Sequence, residues 1–139
     1  AIRPFPGPAL TSRAPILSGR SNRLGVPVNL PAETAVIEPA KLRGYLLSPD
    51  HPDGRAKARY LGLLGYTRER WELLARDLRQ QILPLAARPT GESLWGVKYE
   101  ILGMLKGPNG RAAAIRSSWI VLQGDTRPRL VTVVPWEQQ

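Results

Sequence analysis

An α+β fold is what these 139 residues predict: two or three N-terminal helices packed on a C-terminal antiparallel sheet of three to four strands. Three observations carry the prediction. A proline-dense first quarter excludes a long helix there. Apolar residues then recur at helical spacing to about residue 83, and beyond residue 96 the period falls to two, with turn residues between the runs.

Residues 1–35 hold Pro4, Pro6, Pro8, Pro15, Pro27 and Pro31. Proline fixes φ and lacks a donor, so the stretch reads as a Pro-rich linker or extended segment, with 26–30 as a weak edge-strand candidate. Residues 36–139 make the compact basic domain. Pro39 suits the first turn of a short helix through 41–47, which Pro49 stops. Residues 50–54 form a tight turn, and Asp53 is placed to cap a helix over 54–65 that ends at Gly65. Thr67 caps a third helix over 67–83. Its Trp71, Leu74, Leu78 and Ile82 make an apolar stripe, with Arg70, Arg76 and Arg79 off it.

Residues 84–96 read as a loop. Strands follow over 98–106, 111–123 and 129–135, joined by turns at 107–110 and 124–128. Pairing Gly107 with Gly110 sets Lys98 opposite Trp119 and Glu100 opposite Ser117. Pairing Leu122 with Arg129 sets Trp119 opposite Thr132. One row of the sheet then reads Lys98, Trp119, Thr132, with Glu100 and Ser117 in the next, provided the register does not slip. An aromatic among cations is a common holder of single-stranded bases, against the plainer reading of Trp119 as core.

The formal net charge is +9, spread along the chain. That favours a polyanion: nucleic acid first, an anionic membrane or acidic protein behind. There is no cysteine and one histidine. Disulfide frameworks, thiolate nucleophiles, Cys-based zinc and His-cluster metal sites are thereby excluded. No apolar run approaches the roughly 20 residues of a membrane helix, so no membrane association is expected.

His51, the only histidine, lies in Asp50-His51-Pro52-Asp53-Gly54 with Arg55 and Lys57 just beyond. Lys57 shares a helix face with Tyr60, Leu61 and Leu64, so it is aimed along the body of the protein. Metal-free RNA cleavage needs a base for the ribose 2′-OH, an acid for the leaving 5′-oxygen and donors for the charge on the phosphorane. His51 suits base or acid. Arg55 and Lys57 suit the phosphorane, and Thr132 or Ser117 the positioning of the phosphate. Glu100, Tyr60 and Lys57 are open as the second acid or base. The plain alternative is a turn histidine without chemistry. Phosphate-binding glycine loops, deaminase cysteines and a serine-hydrolase elbow are missing, while Asp50 and Asp53 keep a metal-dependent DNase in view.

From Leu42 onward the motif order resembles an uncharacterised C-terminal domain of bacterial polymorphic toxins. The residues that carry this are Tyr45-Leu46-Leu47, the His-Pro-x-Gly-x-x-Lys turn at His51–Lys57, Gly107-Pro108-Asn109-Gly110-Arg111 and Val131-Thr132-Val133-Val134-Pro135. The layout is also similar to the ribonuclease superfamily of barnase, the colicin tRNases and RelE. The sequence departs from barnase in lacking a Glu–Arg–His set in its strands. The resemblance implies an antibacterial endoribonuclease joined to a larger delivery protein, secreted by type VI or contact-dependent systems and acting in the target-cell cytoplasm. It implies RNA or tRNA as substrate, no cofactor and an acidic cognate immunity protein. It makes His51 and Lys57 catalytic, and Arg111 and Thr132 neighbours of the phosphate. The full expected set is catalytic His51, Lys57 and Thr132, with Arg55, Lys98, Arg111, Ser117 and Trp119 binding substrate. The competing readings are a non-catalytic nucleic-acid-binding module and a protein-interaction domain.

Overall fold

A computed structural model of the chain describes residues 26–136. The stretch over residues 1–25, expected to be a linker, lies outside them. The fold is α+β, with three short helices and one four-stranded antiparallel sheet. Helix α1 (Pro39–Lys41) runs directly into a π-helical turn (Leu42–Leu46). There Leu47 N–H donates to the Leu42 carbonyl at 2.7 Å, five residues back. Helix α2 covers Arg55–Gly62, and α3 (Trp71–Asp77) likewise continues as a π-helical turn (Leu78–Ile82). The sheet is a simple meander of β1 (Arg88–Glu92), β2 (Gly96–Lys106), β3 (Ala112–Leu122) and β4 (Pro128–Pro135), neighbours in that order.

The helices cover one face of the sheet. Leu74, Leu78 and Ile82 of the expected stripe are fully buried, against Ile101, Leu105, Ile115 and Trp119 from β2 and β3. Residues in between, such as Met104 and Arg116, lie exposed on the other face, as the pleat requires. Tyr66 buries its ring and donates to Asp77 Oδ2 at 2.6 Å. Burial first, then this bond, pushes the Tyr66 hydroxyl well above the usual tyrosine range. The segment before α1 is packed as well. Leu30, Ala35 and Ile37 are buried, Val28 bridges to Ala87, and Arg79 donates to the Ala35 carbonyl at 2.8 Å.

The structure corrects four expectations. Residues 88–92 form strand β1 rather than loop, because Pro89 and Gly91 sit on an edge strand beside an irregularity in its pairing with β2, where proline and glycine are tolerated. The β2–β3 register is one residue off the expected one. Lys98 faces Ile120, Glu100 faces Ser118, Ser117 faces Ile101 and Trp119 faces Tyr99. Trp119 faces Leu130 on β4 rather than Thr132, and Thr132 pairs with Ser118 across a bulge. Finally, neither expected helix cap holds: α3 starts at Trp71 with Arg70 as its N-cap, so Thr67 does not cap it, and Asp53 does not cap α2. Gly54 is the N-cap, and it makes no side-chain cap bond.

Candidate active site

The His51 side chain ties its own turn together just ahead of α2. Its Nδ1 accepts N–H bonds from Asp53 at 3.0 Å and Gly54 at 3.1 Å, tying the imidazole to the entry of α2. Gly54 is required at that entry: a Cβ there would run into the Tyr45 carbonyl. The turn is therefore pressed onto the π-helical turn that carries Tyr45. The Tyr45 and His51 rings meet edge to face, centroids 5.0 Å apart.

Tyr45 gathers the site. Lys57 Nζ stands 5.4 Å from its ring centroid and Lys41 Nζ 5.5 Å, a cation–π arrangement with two ammonium groups. Lys57 also donates to the Asp53 carbonyl at 3.1 Å, which binds it to the His51 turn. Tyr45 Oη shares a hydrogen bond of 3.0 Å with Thr132 Oγ1. Thr132 directly follows the bulge in edge strand β4, and bulges re-aim side chains in this way. The structure thus brings His51, Lys57 and Thr132 around one tyrosine. Tyr45, which entered the sequence reading only as part of a motif, and Lys41 were not expected as site residues. Their signal was an i, i+4 pair on one helical turn, four residues upstream of Pro49 in the case of Tyr45.

The bonds to His51 decide what its ring can offer. With two N–H groups aimed at Nδ1, that nitrogen holds a lone pair, and the hydrogen sits on Nε2. The ring presents a hydrogen-bond donor beside two ammonium groups. These are donors of the kind that can receive anionic oxygen, with the Tyr45 and Thr132 hydroxyls next to them.

The other expected residues lie elsewhere. Ser117 and Trp119 are fully buried; Trp119 Nε1 donates to Ser117 Oγ at 2.8 Å, and Ser117 donates to the Ile101 carbonyl at 3.2 Å. Both are core, out of reach of a substrate. Lys98 is exposed on the sheet face turned away from the helices, which Glu100 shares. Arg111 is exposed beside the turn that packs on the C-terminal end of α2, through Asn109 bonded to Leu63 and Leu64. That is the opposite end of α2 from His51. Tyr60 Oη donates to the Ala114 carbonyl at 2.9 Å. Arg55 lines a separate cleft with Arg59 and Arg68. Among the described residues no three His, Asp or Glu side chains converge as a metal site, and no helix is long and apolar enough to cross a membrane.

A protein-family model, described as a domain of unknown function (DUF6883), matches residues 29–137. No functionally curated protein matches the sequence. Among solved structures, the fold is similar to a chain of a contact-dependent growth inhibition toxin–immunity protein complex from Klebsiella pneumoniae 342. The TM-score is 0.57 at 18% identity, over 77% of this chain and 97% of that one.

Proposed function

The chain belongs to the DUF6883 family, and we propose that it is the toxic domain of an antibacterial system, a metal-independent endoribonuclease. The observation that carries this is the gathering of His51, Lys41, Lys57 and Thr132 around Tyr45 in a protein of net charge +9. The fold shared with a chain from a toxin–immunity complex supports the toxin part. A strongly basic chain suits the nucleic-acid-attacking member of such a pair, and its immunity partner is then acidic.

Cleavage forms the O2′–P bond as P–O5′ breaks, leaving a 2′,3′-cyclic phosphate and a 5′-hydroxyl. His51 Nε2–H and the Lys57 and Lys41 ammonium groups donate to the non-bridging oxygens, where charge gathers. A neutral imidazole in this role keeps its proton and works as an electrophile. The proton moves through the hydroxyl pair. Tyr45 Oη takes it from the 2′-OH while passing its own to Thr132 Oγ1, and the Thr132 hydroxyl proton goes to O5′. The protein ends as it began, and the place of the second acid or base is filled without Glu100.

Expression inside bacteria tests the toxin reading. The chain is expected to arrest growth with RNA broken down and the chromosome intact, and His51→Ala to restore growth at equal protein level. Unimpeded growth with soluble wild-type chain contradicts toxicity; arrest with intact RNA contradicts RNA as the target.

A further inference from the structure

Helix α2 has a second basic side. Arg55 and Arg59, four residues apart, share a helix face on which Lys57 does not lie. With Arg68 they line a cleft of about 360 Å³, whose floor and walls include Leu47, Pro49 and Glu69. Among the described residues Arg55 and Arg59 form no salt bridge. Arg68 is held in place: its Nη2 donates to Ser48 Oγ at 2.7 Å and stands 3.8 Å from Asp50 Oδ2. Its Nε is buried without a hydrogen-bond partner among the described residues. One fixed and two uncommitted guanidinium groups around a concave surface match the fork geometry of phosphate oxygens.

The cleft and the Tyr45 cluster are the two sides of one loop. Pro49 lines the cleft and His51 belongs to the cluster; their Cα atoms are at most about 7 Å apart along the chain. We infer that the Arg55–Arg59–Arg68 cleft binds a phosphodiester of the same RNA strand, flanking the one cleaved at the Tyr45 cluster. This rests on the ribonuclease reading for its substrate. The loop over residues 48–54 then acts as a saddle, with the strand crossing it and a phosphate held on each side. Glu69 narrows the cleft to groups that engage the arginines directly and disfavours loosely held anions. An acidic protein surface would place carboxylates in the same forks, and the test separates the two.

The test uses His51→Ala as a non-cleaving background and a fluorescent single-stranded RNA oligonucleotide, with anisotropy followed as salt is raised. Arg55 and Arg59 are exposed, so Arg55→Gln/Arg59→Gln leaves the core untouched. The expected result is binding about tenfold weaker and a log–log salt slope shallower by about 0.7 for each phosphate that the variant no longer neutralises. The charge-matched pair Arg88→Gln/Arg116→Gln, both exposed on strands, is expected to do much less. With His51 restored, the cleft pair is expected to raise KM more than it lowers kcat. Equal affinity and slope in the cleft variant, or an equal loss in the control, overturns the inference, also when only an acidic partner protein loses affinity. If the wild-type chain cleaves RNA and the cleft variant matches it in KM, the cleft falls and the ribonuclease stands. If nothing is cleaved yet RNA binding depends on the cleft pair, the ribonuclease falls and the cleft stands.

Discussion

Tyr45 is the residue on which the proposed chemistry turns, through a hydroxyl bonded to Thr132 and a ring that touches His51 and two lysines. Tyr45→Phe keeps the ring and removes the relay. The expected loss in RNA cleavage is about 10²–10⁴-fold with unchanged circular dichroism, the range for lost acid–base catalysis. His51 is expected to behave otherwise, because it acts as a donor. His51→Ala should cost about 10²–10³-fold, and His51→Gln, which keeps an N–H, should recover about a tenfold share of that. A Gln variant as dead as the Ala variant would mean that His51 itself carries the proton. The local part of this site was legible: His51 and Lys57 lie six residues apart in a turn and the helix it starts. Trp119 and Ser117 were misplaced because a slip of one residue exchanges the faces of a strand. No short-range signal fixed that register, since the two-residue apex of the β2–β3 turn belongs to a loop whose flanking pair is Lys106 and Ala112.

At the scale of elements, the entry of α2 and the π-helical turn are one unit, joined where Gly54 meets the Tyr45 carbonyl. Gly54→Ala is expected to force them apart, costing about 1–3 kcal/mol by overpacking and lowering activity beyond what reduced stability explains. Chemical denaturation alongside single-turnover cleavage checks both. Tyr66 ties α3 to the end of β2 through Asp77 and the Lys106 carbonyl. Its folded-state affinity for the proton is raised above the unfolded value of about 10. The native state therefore binds more protons than the unfolded chain above that pH. Stability from this group is full below pH about 10 and is lost as pH rises beyond it. Tyr66→Phe should cost about 1–3 kcal/mol near neutrality, by leaving the buried Asp77 Oδ2 without its donor while Arg76 keeps Oδ1, and flatten the fall above about pH 10 in urea titrations. Helix periodicity made α2 and α3 legible, and their apolar stripes did enter the core. Strand β1 was not, because Pro89 and Gly91 are loop residues by propensity and only the edge position admits them. The bulge that presents Thr132 leaves no mark in a run of Val and Thr.

For the molecule as a whole, the helices lie on one side of the sheet, and with the α2–α3 connection they carry both basic groups of interest, one on each flank of the loop over residues 48–54. The fold class followed from the change of apolar period along the chain. Joining the His51 turn to Thr132 through Tyr45 required a hydrogen bond across 87 residues of sequence, from Tyr45 to Thr132. Such long-range pairing is invisible to spacing rules, whereas the charge of +9 was legible from composition. This basic surface is proposed to cut RNA without a metal. The direct measurement is purified wild-type chain, Tyr45→Phe and His51→Ala, each incubated with total bacterial RNA in EDTA, with the new ends mapped. Discrete fragments ending in 2′,3′-cyclic phosphate and 5′-hydroxyl are expected from the wild-type chain alone. Intact RNA in the presence of the folded protein, or fragments with 3′-hydroxyl ends, would contradict the proposal.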